Sequence, residues 1–244
     1  FETVMRKVSR CLAAAEAARP GAADMLIVDV LSVKMHARTT MLALLPDACD
    51  VLCTHPMFGP ESGKHGWSGL PFVYERVRLR DARRCEDFLH WWGGQGCRME
   101  DMTCELHDTC AAGSQFVTHF TGRVLSRLGT KLRTTPINTK GFDSLLELVD
   151  NTCKDSFDLF FALYKYNPES EAQLQALEQA LAEVATTLRS RPIQTGSPAG
   201  KQKAVGTTAN DSAAGTANSG QVPELLSLSE EVAIMSRLNP RVSA

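Results

Sequence analysis

With 244 residues, 43% of them hydrophobic, the chain is long enough for one good core or two small ones. A net charge of −2 and a pI near 6.3 give no basic footprint, which argues against a nucleic-acid partner, and no apolar run approaches the roughly 18 to 20 residues of a membrane span. Eight cysteines, scattered through helical and strand-like stretches, read as reduced thiols of a cytosolic or stromal compartment rather than as a disulfide framework.

Residues 1–18 carry Val4, Val8 and Leu12 at i, i+4 and i+8, the spacing of an amphipathic helix. Arg19-Pro20-Gly21 breaks it, and Met25 to Leu31 follows as an apolar run with one acid, the pattern of a buried strand. Ser32-Val33-Lys34 comes next, with room for one crossover helix over about residues 35–45 before a second short strand, Asp50-Val51-Leu52-Cys53. Pro56 biases His55 toward an extended backbone and removes a donor, so the second strand stops there. Four glycines (Gly59, Gly63, Gly66, Gly69) with Pro60 and Pro71 make the following stretch a loop that can turn tightly around something. Two neighbouring parallel strands would thus deliver a hydroxyl, Ser32, and an imidazole, His55, to one crevice at the carboxyl edge of a sheet, where ligands bind in open α/β folds. Taken singly, each has an ordinary alternative: a serine capping the next helix and a satisfied structural histidine.

Leu70 to Val77 reads as a strand, Asp81 to Trp92 as a helix and Gly96 to Met102 as another strand, a continuing β-α-β rhythm that predicts a parallel sheet with Trp91 and Trp92 as core beneath it. Thr103 to Leu128 reads as one long helix closed by Gly129. No strand signal follows, which places a domain boundary near residue 102. On that helix Gln115 and His119 share a face, and His107 lies two turns before Gln115. Cys104, His107, Cys110 and His119 are soft ligands at close spacing, but steps of three residues rotate them around the helix axis, so no metal site is expected. Further on, Asp155 reads as the N-cap of a helix over Ser156 to Tyr166, and Asn167-Pro168-Glu169 as the start of the next. Leu174, Leu177, Leu181, Val184 and Leu188 then form a stripe at steps of three and four, either core-facing or a coiled-coil-like seam. The composition of residues 191–222 cannot bury enough apolar surface to fold, which predicts disorder, and 223–238 recovers a helical pattern.

Three stretches, Asp29-Val30-Leu31-Ser32-Val33-Lys34, His55 to Gly63 and Thr135 to Phe142, resemble the plant-type arogenate dehydrogenases of the prephenate/arogenate dehydrogenase family, and the likeness runs from about residue 24 to about residue 185. The resemblance implies NADP-dependent oxidative decarboxylation of arogenate to tyrosine in the plastid stroma by a homodimer. It implies catalytic roles for His55 and Ser32, with Ser32 also on the cofactor side. It further implies a substrate-facing set of Glu61, Gln115, His119, His107 and Asp155. The arginine that bacterial members carry shortly after the Gly-Phe has no counterpart here; the matching position is about Glu147. An acid at the place of Asp155 implies arogenate, which bears an ammonium, over prephenate, which bears a keto group. The physics agrees, since a carboxylate beside an ammonium in a desolvated pocket makes a charge-assisted hydrogen bond worth about 1.5–3 kcal/mol.

A dinucleotide-binding domain should also contain a G-x-G-x-x-G turn, and the sequence has none. The resemblance puts that turn, and a targeting segment, upstream of Phe1. The expected architecture is α/β followed by all-α. Residues 1–102 would be the C-terminal half of a Rossmann-like parallel sheet that binds NADP, 103–190 a helical substrate and dimerisation domain, and 191–244 a disordered tail with a short helix. Two alternatives stand beside the arogenate reading: a prephenate dehydrogenase making 4-hydroxyphenylpyruvate, and a non-catalytic dimerisation module.

Overall fold

The computed structural model describes residues 1–60, 62–128 and 134–191. The expected closing glycine Gly129, the tail and its helix over 223–238 lie outside them. The chain runs α1 (Glu2–Ala18), β1 (Leu26–Asp29), α2 (Lys34–Leu44), β2 (Asp50–Pro56), β3 (Pro71–Arg78), α3 (Ala82–Gly94) and β4 (Arg98–Asp101). From there every described element is helical: α4 (Cys104–Ala111), a π turn (Ala112–Phe116), α5 (Val117–Arg127), α6 (Lys140–Lys154), α7 (Phe157–Tyr166) and α8 (Ser170–Ser190).

The four strands lie side by side in sequence order. β1 and β2 are parallel with Asp29 opposite Cys53, as one crossover helix requires. β2 alternates between two cores. Val51 and Cys53 pack with Met5, Leu12, Met41 and Leu45 from α1, α2 and the residue after α2. Leu52 packs on the opposite face with Phe72, Cys85 and Leu89. A strand covered on both faces reads as a continuous apolar run, which is why β2 is legible as buried.

The parallel β-α-β rhythm does not continue. β3 pairs antiparallel to β2, with His55 opposite Val73, and only β3 and β4 resume the parallel arrangement. The cause lies in the connection: residues 57–70 hold four glycines and Pro60 and no described helical element, where a parallel neighbour needs a crossover that is usually a helix. That loop is pinned where Gly69 N–H donates to Gly96 O at 2.8 Å. Gly96 sits at φ +85°, and a Cβ there would press on Ser68 at 3.2 Å.

Further expectations change. Trp91 is 52% exposed, because the buried face of α3 is set by Cys85 and Leu89, and Trp91 falls off that stripe while Trp92 joins it. The long helix of 103–128 is interrupted by the π turn over Ala112–Phe116, which contains Gly113 and Ser114. Asp155 does not cap α7; Ser156 does, its hydroxyl accepting from Leu159 N–H at 3.1 Å, and Asp155 ends α6. Helix α8 begins at Ser170, three residues after Asn167, whose side chain instead accepts from Glu169 N–H at 3.0 Å and donates to Asp108 O at 2.8 Å. The α8 stripe is not core along its length: Leu181, Val184 and Leu188 are 70%, 59% and 73% exposed.

Candidate active site

The site is built at the carboxyl ends of β1 and β2. Ser32 follows β1, and His55 is the sixth residue of β2. Between them runs a buried polar brace. The Lys34 ammonium, 2% exposed, donates to Asp29 Oδ1 and to Thr54 O, and Thr54 Oγ1 donates to Asp29 O at 2.5 Å. Burying two charges is costly and tolerable only when they are paired and hydrogen-bonded. Here the pair ties the ends of two strands together one residue before His55.

A crevice of about 710 Å³ opens above this edge, lined by Val30, Ser32, His55, Phe58, Lys64, Trp67, Trp92 and Gln115 among others. Ser32, His55 and Gln115 therefore converge, from a β-α turn, a strand end and the π turn. A π turn shifts the facing of one residue relative to an unbroken helix and is frequent at functional sites; here it carries Gln115 to the crevice while His119, four residues on, stays out of the lining. One wall is aromatic: Phe58 stacks on Trp67 with ring centres 5.9 Å apart, Trp67 on Trp92 at 5.0 Å and Trp92 on Phe72 at 4.4 Å. Trp92 belongs to this wall, a role that its position in a helix between strands did not signal.

Beneath the crevice His55 is 5% exposed and makes a hydrogen bond through Nδ1 to His107 Nε2 at 2.8 Å. His107 Nδ1 lies 2.8 Å from Asp108 Oδ1, with both residues fully buried. Asp108 in turn accepts from the backbone N–H groups of Lys34 and Met35 at 2.8 and 2.9 Å. The local sequence explains the last contact. Val33 occupies the N-cap of α2 and has no side chain able to cap it, so the acceptor comes from α4 across the core. His107, expected to face substrate, is buried with both ring nitrogens committed and is not among the residues lining the crevice. Burial above all, then His107 and Lys34, hold His55 far below the ordinary histidine range, down to about 3. The ring is neutral at any physiological pH.

His119 and Asp155 are brought together, but away from that lining. His119 on α5 has Nδ1 3.8 Å from Asp155 Oδ2, too long for a hydrogen bond, and burial lowers its pKa against the opposing pull of Asp155. Arg123, one turn further along α5, donates through Nη2 to Asp155 O at 2.7 Å and lies over the Phe160 ring at 5.0 Å. Glu61 lies outside the described residues.

Residues 124–197 match the family described as TYRAAT1-like, C-terminal domain. Over 170 residues, 68% of this chain, the sequence is 54% identical to Arogenate dehydrogenase 2, chloroplastic, of Arabidopsis thaliana and 51% identical to Arogenate dehydrogenase 1, chloroplastic, of the same plant. The matches cover 47% and 26% of those proteins, so the chain spans about half the length of the first and a quarter of the second. In fold it is similar to the prephenate dehydrogenase of Aquifex aeolicus, with a TM-score of 0.55 at 16% identity over 77% of this chain and 67% of that one. Over the matched region the chain is similar in sequence to these two arogenate dehydrogenases, and in fold to a prephenate dehydrogenase.

Proposed function

We propose that this chain carries the substrate side of an arogenate dehydrogenase, which oxidatively decarboxylates arogenate to tyrosine with NADP in the plastid stroma. The observation that carries the reading is the convergence of Ser32, a neutral His55 and Gln115 on one crevice at a parallel strand edge, in a chain whose curated relatives are chloroplastic arogenate dehydrogenases. A prephenate dehydrogenase shares the fold at low identity, which supports the architecture without favouring that substrate.

The residues present fit the nicotinamide end of a dinucleotide: the stacked rings of Phe58, Trp67 and Trp92 and the residue Ser32 line the same crevice. They do not include a glycine-rich phosphate loop. When bound, the nicotinamide supplies the hydride acceptor. In the proposed chemistry His55 accepts a hydrogen bond from the ring hydroxyl of the substrate and draws its proton as the hydride leaves the same carbon. The ring carboxylate departs as carbon dioxide, and the proton returns to the phenol oxygen as the ring aromatises. An imidazole held neutral by burial is ready to accept at that moment. Ser32 keeps the hydroxyl and the nicotinamide side in register, and Gln115 meets the substrate from the π turn, while Asp155, beside His119 and outside that lining, acts on the choice of substrate through its charge. Residues 1–102 supply Ser32, His55 and the nicotinamide-side wall, and 103–190 supply Gln115 and the further substrate contacts. The exposed Leu181, Val184 and Leu188 of α8 support a homodimer seam.

The test is a chimera joining this chain to the part of the Arabidopsis thaliana Arogenate dehydrogenase 2 that lies outside the match. The expected result is NADPH formation with arogenate in clear preference to prephenate. Turnover of prephenate alone would move the assignment to the second substrate, and no turnover of either would overturn it.

A further inference from the structure

We propose that Asp108 and His107 are positioning residues that fix the tautomer of His55, so that its crevice-facing nitrogen, Nε2, is a bare acceptor. The proposal rests on the reading of His55 as the proton acceptor and adds to it the origin of that competence.

The polarity follows from the partners. A carboxylate offers only acceptors. Asp108 already takes the N–H groups of Lys34 and Met35 at the start of α2, which orients it. Its 2.8 Å contact with His107 Nδ1 therefore requires the proton on that nitrogen. A neutral imidazole has one N–H, so Nε2 of His107 carries a lone pair. The 2.8 Å contact between His107 Nε2 and His55 Nδ1 then needs a donor, and only His55 Nδ1–H can supply it. Nε2 of His55 is left with its lone pair for a ligand. Without the chain of contacts a free imidazole favours hydrogen on Nε2, the wrong atom for accepting the substrate hydroxyl.

The same chain disposes of the charge. As the substrate O–H proton moves toward His55 Nε2, the proton on His55 Nδ1 moves toward His107 Nε2. The positive charge then sits beside the Asp108 carboxylate and not in the desolvated crevice. When the phenol oxygen recovers its proton the shifts reverse, and no proton is gained or lost. His55, His107 and Asp108 are 5%, 2% and 0% exposed, so water does not compete for these contacts.

The test is ¹⁵N-histidine NMR on the 244-residue chain, where two-bond couplings report which ring nitrogen is protonated; six histidines are few enough to assign with H55Q and H107Q. At neutral pH both His55 and His107 should appear as the Nδ1–H form. Asp108→Asn removes the carboxylate that holds the proton on His107 Nδ1 and should lower the Nδ1–H population of both rings. In the chimera the same substitution should lower kcat at least about tenfold while KM for arogenate moves by less than about threefold, since a tautomer change removes an acceptor used in the chemical step. His55 protonated on Nε2 in the unsubstituted chain overturns the proposal, and that spectrum decides the matter even if Asp108→Asn fails to fold. A chimera inactive on arogenate with both tautomers as expected would uphold the tautomer assignment and overturn the dehydrogenase reading beneath it.

Discussion

Asp155 Oδ2 stands 3.8 Å from His119 Nδ1, at the joint between α6 and α7, and the helix cap at that joint belongs to its neighbour Ser156. The capping role that competes for Asp155 in the sequence is therefore filled by another side chain. Asp155→Asn keeps size and polarity, leaves the α7 cap in place and removes only the charge. In the chimera, the ratio of kcat/KM for arogenate over prephenate should fall at least tenfold, about 1.4 kcal/mol of differential transition-state binding. Part of the change should be a gain on prephenate, whose keto group offers nothing to offset a carboxylate. Equal declines on both substrates would remove Asp155 from substrate choice.

Helices α5 and α6 approach closely at Gly122. A Cβ there would sit 2.1 Å from Thr152 Oγ1, which itself donates to Leu148 O at 2.7 Å within α6. Gly122→Ala should thus destabilise by about 1–3 kcal/mol despite alanine's better helix propensity, because the helices must part. Adding Thr152→Ala clears the space and should restore most of the loss. Urea unfolding of the two single variants and the double variant reads the coupling. Additive effects would contradict the contact.

The lowered pKa of His55 predicts a pH signature in stability. Folding keeps this ring neutral down to about 3, whereas the unfolded chain protonates it near 6.5. The unfolded state therefore binds the proton first on acidification. The contribution is fully present above about 6.5 and is lost as pH falls toward about 3, at up to about 1.4 kcal/mol per pH unit. Unfolding free energies measured across that window should fall less steeply for His55→Gln than for the unsubstituted chain. Parallel curves would contradict the burial of a neutral imidazole.

Much of this was legible in the sequence, for reasons specific to each part. The apolar runs of β1 and β2 and the loop glycines after Pro56 are local signals, and they suffice to put Ser32 and His55 on one edge. The direction of β3 was not local: residues 70–77 read the same whichever way they pair, and only the missing crossover helix decides it. Gln115 was found by its helix position, but the π turn that aims it has no periodic signature. The Asp108 cap of α2 spans 74 residues; its one trace in the sequence is a valine at a helix start where a capping side chain is expected. His107 stands out as a candidate in the sequence, but spacing along a helix does not show that a histidine from a strand meets it.

The account centres on His55 as the group that draws the substrate proton, and its most direct test is the turnover of the His55→Ala chimera with arogenate and NADP. The account predicts a fall in kcat of roughly 10²–10⁴, the usual contribution of a positioned proton acceptor, with a smaller change in KM. A variant that keeps a third of the unsubstituted turnover would contradict it and leave His55 as a buried structural ring.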